Sequence, residues 1–301
     1  MIPFILLIFG FILLVFGANK FVDGSSSLAY SFKIPPIIIG LTIAAIGTSA
    51  PEAFVSTIAA IQGNSDIAAS NVLGSNILNI LLILGITAFI KPLNIKQNTI
   101  KKEIPFLFLI SLVMLLMGID GIISRTDGLI LLLFMIIFIN YLFEISKEDN
   151  NQEEIKQYSI IKSLIFTIIG LVCIIFGSKF TVDNAVIIAK NIGISEKIIG
   201  LTIVSIGTSL PELVTSIVAA LKGQNDIAVG NILGSNIFNI LFVLGIASSI
   251  SSVNFNLISD TIISIGITFI LFIFSINDKK ISKVEGFIFI SLYAIYIFYI
   301  L

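Results

Sequence analysis

Residues 40–80 and 200–240 are two copies of one segment, aligned without a gap at a constant offset of 160, with 25 identities in 41 positions. The matches are not scattered Ile and Leu. GLTI--IGTS-PE, then G--DIA, then N-LGSNI-NI recur in the same order. The offset also carries Phe16-Gly17 onto Phe176-Gly177 and Asp23 onto Asp183. Such a chain is constrained to fold as two related halves, and composition decides in what solvent. Charged residues make up 12% and hydrophobic residues 57%, with a mean hydropathy of +1.12. Ordinary soluble domains carry about 25% charge, so this chain has too little polar surface to cover a globule in water.

A bilayer core about 30 Å thick takes roughly 20 apolar helical residues. Runs without charge cover 2–19, 67–90, 104–119, 128–143, 163–178, 227–259, 261–277 and 286–301. Two more, 36–62 and 198–221, each hold one charge, Glu52 and Glu212. The pattern predicts an all-α polytopic membrane protein with ten spans. The first run has no basic residue ahead of it and reads as span 1 rather than a cleaved signal peptide. The polar stretch 146–157, with Lys147, Glu148, Asp149, Glu153, Glu154 and Lys156, reads as a solvated linker at mid-chain. The predicted organisation is a five-helix repeat over 1–145, an acidic linker over 146–160 and a second five-helix repeat over 161–301. Five crossings leave the chain on the other side of the membrane, so the second repeat enters upside down. Inverted repeats of this kind place a transport site near the midplane at their interface.

Loop charge sets the orientation. Twelve lysines fall on one side, among them Lys33, Lys91, Lys96, Lys101, Lys102, Lys222 and Lys279, against Arg125, Lys190 and Lys197 on the other. The expectation is a cytoplasmic linker with both termini outside, the latter in keeping with Tyr293, Tyr296 and Tyr299 near the C-terminus. Lys20, Asp23, Lys179 and Asp183 read as interfacial or snorkelling groups.

The chemistry sits in the repeated segment. Gly47-Thr48-Ser49-Ala50-Pro51-Glu52 and Gly207-Thr208-Ser209-Leu210-Pro211-Glu212 each put a proline inside a span. Proline lacks an N–H and clashes with the carbonyl four residues back, here that of Gly47 or Gly207. Irregular backbone at membrane depth is tolerated only inside protein or along a watery cavity. A broken helix supplying carbonyl oxygens follows. Asn71, Ser75 and Asn79, and again Asn231, Ser235 and Asn239, are spaced four apart and line one helix face. Gly74 and Gly234 permit close approach beside that face. Carboxylates, amide oxygens, hydroxyls and carbonyls are all hard donors, which suit Ca²⁺, Na⁺ or Mg²⁺. Mg²⁺ gives up its water reluctantly, so a crowded dehydrated site favours Ca²⁺ and Na⁺.

Blander readings exist for each group. Membrane Ser and Thr are more often interhelical glue, a single Pro or Gly is usually a kink, and a single Glu can face a neighbour in neutral form. A charged carboxylate at the bilayer centre costs at least about 2.5–3.5 kcal/mol, and here it occurs twice in one context, which favours function for Glu52 and Glu212. Asn79 and Asn239 follow them. Asn71 and Asn231 serve equally well as braces, and Asp66 and Asp226 read as helix N-caps. The chain has no His and one Cys, Cys173, which excludes a disulfide framework and His- or Cys-based metal or nucleophile chemistry. No nucleophile–base pair or phosphate loop supports an enzyme, and the net charge of −1 gives no sign of nucleic-acid binding.

The doubled GTSxPE and GSNIxN segments resemble the sodium/calcium exchanger family, in its compact prokaryotic form, over the whole chain. The resemblance implies ten spans as two inverted repeats, with helices 2, 3, 7 and 8 broken. It implies a central Ca²⁺ site of Glu52 and Glu212 with the carbonyls of Thr48 and Thr208. Flanking Na⁺ sites would use Ser49, Ser75, Ser209 and Ser235 with the carbonyls of Ala45 and Ser205, and Asn79 and Asn239 would complete the ring. It also implies a long tilted pair, spans 1 and 6, sliding against the rest, for which Gly17, Gly24 and Gly177 suit a moving surface. The transported ions would be Ca²⁺ and Na⁺, with the bilayer as the only other partner and no cofactor. Some members carry Asp at one central amide position. Asn stands at both here, so the site brings two formal charges. Cation/proton exchange on the same fold, a passive cation channel and a non-transporting scaffold remain as alternatives.

Overall fold

The structure is a computed structural model, and it describes residues 2–64, 66–147, 157–194 and 205–300. Most of the expected linker, with Glu148, Asp149, Glu153, Glu154 and Lys156, lies outside the described residues, as does 195–204 with Lys197. The described residues form helices joined by short turns and two small strand pairs. The helices are α1 (Ile2–Ser31), α2 (Pro36–Thr48), α3 (Ala50–Ile61), α4 (Asp66–Ile90), α5 (Ile104–Met117), α6 (Arg125–Ile145), α7 (Ile160–Asn191), α8 (Ser205–Thr208), α9 (Leu210–Leu221), α10 (Asn225–Ile250), α11 (Ile258–Asp278) and α12 (Lys283–Ile300). Among the described residues seven are long and apolar enough to cross a bilayer, or eight when α2 and α3 count as one bent span. The protein is a multi-pass membrane protein.

α1 and α7 run 30 and 32 residues, about 45–48 Å at 1.5 Å per residue. That exceeds the thickness of a bilayer core. The apolar runs at 2–19 and 163–178 understated both. Lys20 does not sit at a helix end. It lies eleven residues before the end of α1, with its ammonium 4.4 Å from the Phe166 ring centre and 5.6 Å from that of Phe16. Aromatic faces hold the charge inside the helix pair, and the helix continues past it.

The pair packs backbone to backbone. A methyl at Gly10 would stand 2.9 Å from the Gly177 carbonyl, one at Gly17 2.7 Å from the Gly170 carbonyl, and one at Gly24 2.6 Å from the Ser163 carbonyl. Numbers rise on one helix as they fall on the other, so the two run antiparallel. The expected role of Gly17, Gly24 and Gly177 in a moving surface is corrected by this. They rivet α1 to α7 rather than letting the pair slide against other helices. The surface of the pair that meets the broken helices is different, with Leu171 against Gly47 and Val182 against Gly207.

The breaks fall where proline puts them. Ser49 and Ser209 leave the helical region, at φ/ψ of −85°/8° and −92°/10°, and Pro51 and Pro211 open the next helix. α2 and α3 meet at 50°. α4 and α10 are not broken, contrary to the expectation for spans 3 and 8. Each runs through, and each takes a π-helical turn, Asn79–Leu84 and Asn239–Leu244, at the same place in the repeat. Such turns insert one extra residue and often mark functional positions.

α10 is buried almost throughout. It meets α2 closely, where a methyl at Gly40 would fall 2.8 Å from the Gly230 Cα, and one at Gly234 2.7 Å from the Leu41 Cα. No such neighbour stands near Gly74 among the described residues. The outer faces of α1, α6 and α7 carry exposed Ile, Leu and Phe, as lipid contact requires. Four strands of two residues each, too short for a sequence pattern to reveal, lie in the loops. Leu93–Asn94 (β1) pairs antiparallel with Lys280–Ile281 (β4), and Ile122–Ile123 (β2) with Val253–Asn254 (β3).

Candidate cation site

The helix breaks lift Glu52 and Glu212 into the interior, each 1% exposed in the first turn of α3 or α9. Among the described residues no lysine or arginine pairs with either. Their hydrogen bonds cross between the two halves. The Ser49 hydroxyl donates to Glu212 Oε1 at 2.8 Å, and the Ser209 hydroxyl donates to Glu52 Oε1 at 3.3 Å. The second oxygen of each carboxylate, Oε2, is buried and has no hydrogen-bond partner among the described residues. The same holds for Asn79 Oδ1, Asn239 Oδ1 and Ser235 Oγ. A buried acceptor left without a donor costs about 1–3 kcal/mol, more when charged. Five such oxygens on the predicted ligand residues form an oxygen-rich set of the kind that a hard cation satisfies.

The remaining predicted residues fall around this set. Thr48, Ser49, Ser75, Ser209 and Ser235 are buried, and Thr208 is half-buried. The Thr48 hydroxyl lies 3.0 Å from the Ala44 carbonyl and 3.2 Å from Asn231 Oδ1, and gives its one proton to one of the two. The Ala45 carbonyl already accepts the Ser49 N–H at 2.9 Å. Ser205 opens α8, and its side chain lies outside the described residues. The Gly207 carbonyl, expected to be freed by Pro211, accepts the Ser178 hydroxyl at 3.1 Å.

Asn71 and Asn231 are braces. Asn71 Nδ2 donates to Ser56 Oγ at 2.9 Å and to the Glu52 carbonyl at 3.3 Å. Asn231 Nδ2 donates to Ser216 Oγ at 3.0 Å and to the Glu212 carbonyl at 3.4 Å. The four bonds are related by the offset of 160. Asp66 and Asp226 are not N-caps. Both lie inside the first turn, where a carboxylate still favours the helix dipole, and Asp226 pairs with Lys96 at 2.5 Å. Asp23 pairs with Lys222 at 2.6 Å, so it is a cross-helix contact rather than a snorkelling group.

Sequence reasoning passed over Asn76 and Asn236. Both are 1% exposed and stand between α4 and α10, beside the carboxylates' amide neighbours. The signal was present, since both belong to the repeated GSNI segment. Ser56 and Ser216 were missed in the same way.

The two halves differ in access. A cavity of about 520 Å³ lies between α3, α7 and α8 and reaches Thr208, with Phe54, Lys179, Asp183 and Gly207 in its wall. Of the residues 160 away from these, Val214, Gly47 and Thr48 are buried, while Asn19 and Asp23 are half-buried. Phe54 is 68% exposed against 7% for Val214, and Thr48 is 0% exposed.

Compared with known proteins, the chain matches the family model described as sodium/calcium exchanger protein over residues 2–143 and 162–301. It is 38% identical over 301 residues to the putative antiporter CaxA of Alkalimonas amylolytica, covering 95% of this chain and 94% of that protein. The sodium/calcium exchanger MaX1 of Methanosarcina acetivorans is 28% identical over 342 residues, covering 98% and 97%. Among solved structures, the sodium-calcium exchanger NCX_Mj soaked with zero Na⁺ and Ca²⁺ superposes with a TM-score of 0.90 at 34% identity, covering 99% of each chain.

Proposed function

Since the chain belongs to the sodium/calcium exchanger protein family, and is a membrane transporter rather than an enzyme, we propose that it exchanges Na⁺ for Ca²⁺ by alternating access at the Glu52–Glu212 site. The observation that carries this reading is the set of buried oxygens without a hydrogen-bond partner among the described residues, Glu52 Oε2, Glu212 Oε2, Asn79 Oδ1, Asn239 Oδ1 and Ser235 Oγ. Ca²⁺ takes six to eight oxygens in flexible geometry. Glu52 and Glu212 with the carbonyls of Thr48 and Thr208 take the Ca²⁺. Ser49, Ser75, Ser209 and Ser235, with the carbonyls of Ala45 and Ser205, take Na⁺ beside it, and Asn79 and Asn239 close the ring. The two carboxylates are balanced by one Ca²⁺ or by two Na⁺.

Two uncompensated carboxylates in a low-dielectric interior are costly. Either ion set removes that cost. The loaded protein then crosses between its two states and the empty one does not, so transport is exchange rather than leak. The moving part is the riveted α1–α7 pair. Its contacts with the broken helices, Leu171 at Gly47 and Val182 at Gly207, support this division.

The topology that accompanies the reading has ten spans in two inverted repeats, 1–145 and 161–301, about the linker 146–160. The short α5 and the α8–α9 pair complete the count. The recurrence of the Asn71 and Asn231 bonds at one offset supports two equivalent halves. With the linker cytoplasmic and both termini outside, the Thr208 cavity faces outward.

Radioactive Ca²⁺ uptake into Na⁺-loaded proteoliposomes in a Na⁺-free bath tests the function, with a pH gradient alone as the second arm. Uptake that needs internal Na⁺ and is abolished in Glu52→Gln is the expected result. Uptake driven by the pH gradient alone would move the coupling ion to H⁺. Sustained single-channel current would replace exchange with conduction.

A further inference from the structure

The amides of Asn76 and Asn236 form a reciprocal knot between α4 and α10. Asn76 Nδ2 donates to the Asn236 backbone carbonyl at 3.2 Å, and Asn236 Nδ2 donates to the Asn76 backbone carbonyl at 3.2 Å. A backbone carbonyl only accepts, so each of these side chains must turn its nitrogen to it. The amide oxygen of each is then left facing the other way. There it accepts from the second pair: Asn239 Nδ2 donates to Asn76 Oδ1 at 3.1 Å, and Asn79 Nδ2 donates to Asn236 Oδ1 at 2.9 Å. With their nitrogens so engaged, Asn79 and Asn239 can present only oxygen on the other side. Those two oxygens are buried and without a donor among the described residues.

We propose that Asn76 and Asn236 are positioning residues that lock Asn239 and Asn79 as oxygen-only ligands, each acting across the two halves. The inference deepens the exchanger reading and rests on it. The locking is crossed: Asn76 sets Asn239, and Asn236 sets Asn79. It also accounts for amides at both central positions. Aspartate at 239 would put an acceptor against Asn76 Oδ1, so in this chain the knot holds the site at two carboxylates.

The test is Ca²⁺ binding to the purified full-length protein by calorimetry, with unfolding temperature in chelator as the fold control. Asn76→Ala is expected to weaken Ca²⁺ binding about tenfold or more, as loss of a group orienting a metal ligand does. The pattern of coupling separates positioning from mere packing. Asn76→Ala and Asn239→Ala should be non-additive, Asn76→Ala and Asn79→Ala additive, with the mirror result for Asn236→Ala. Unchanged affinity in Asn76→Ala, or equal coupling to both partners, would overturn the proposal. Asn239→Asp is isosteric and serves where the alanine variants do not fold. Added charge alone tightens a Ca²⁺ site, whereas the knot predicts weaker binding, and tighter binding would sink the idea. A wild-type protein that binds neither Ca²⁺ nor Na⁺ would overturn the exchanger reading itself, a result distinct from normal binding in both wild type and Asn76→Ala.

Discussion

Side chains in the repeated segment divide into those that finish their hydrogen bonds within the protein and those that do not. Asn71 finishes its own, on Ser56 and the Glu52 carbonyl. Replacing it by Leu removes both bonds and leaves the buried Ser56 hydroxyl without this donor, and about 1–3 kcal/mol of stability should be lost. The fall in unfolding temperature should be the same with Ca²⁺ and with chelator. Glu212→Gln should do the opposite, abolishing the stabilisation by Ca²⁺ while changing the chelator value little, since a neutral amide relieves a buried charge. A Ca²⁺-dependent shift retained in Glu212→Gln would remove that residue from the site. Glu52, Glu212, Asn79 and Asn239 were legible in the sequence because a costly buried group appears twice in one context. Asn76 and Asn236 recur in the same repeat, but their role was not legible, because an amide's work depends on its partner. That partner lies about 160 residues away on another helix, where no spacing rule reaches.

Among the helices, proline positions announced the bends at Ser49 and Ser209, and apolar runs announced most spans. Helix length was misjudged wherever a charge had a hidden partner, as Lys20 has in Phe166 and Asp23 in Lys222. The π-helical turns left no trace of their own, since after Asn79 and Asn239 their residues are an ordinary apolar run. The α1–α7 seam gives a direct test. Gly17→Ala places a methyl 2.7 Å from the Gly170 carbonyl and from Cys173 Cβ, closer than backbone can yield without separating the helices. It should lower the unfolding temperature markedly. Gly266→Ala in α11 has open space around it and should raise stability slightly, by up to about 1 kcal/mol from helix propensity. The closed side offers another test. Lys222 donates to Asp23 Oδ1 at 2.6 Å and to the Asn19 carbonyl at 2.9 Å, tying the end of α9 to α1. Position 62, its counterpart in the first half, is Gln62. Lys222→Gln should loosen this tie. In a Cys173→Ser background, Val22→Cys, at a position 0% exposed, should react with a soluble thiol reagent faster when Lys222→Gln is added. An unchanged rate would show that apolar packing alone keeps that side shut.

For the whole molecule, the central question is how two halves behave as one body. Produced as separate chains cut within 148–156 and expressed together, they should copurify, because α4 and α10 are joined at the amide knot and α1 with α7 at the glycine seam. Either half expressed alone should fail to accumulate in the membrane. Recovery of one stable half by size-exclusion chromatography would contradict this. The small strands carry the point further. β1 and β2 belong to the first half and β3 and β4 to the second, and each pairs only with a strand of the other. Neither half closes its own loops. If a duplication gave rise to this chain, the single unit before it had the same open edges and needed a twin running the opposite way to cover them. Joining the genes would then tether a couple that was already obligatory, and leave each copy free to differ, as Lys222 and Gln62 do, without losing its match.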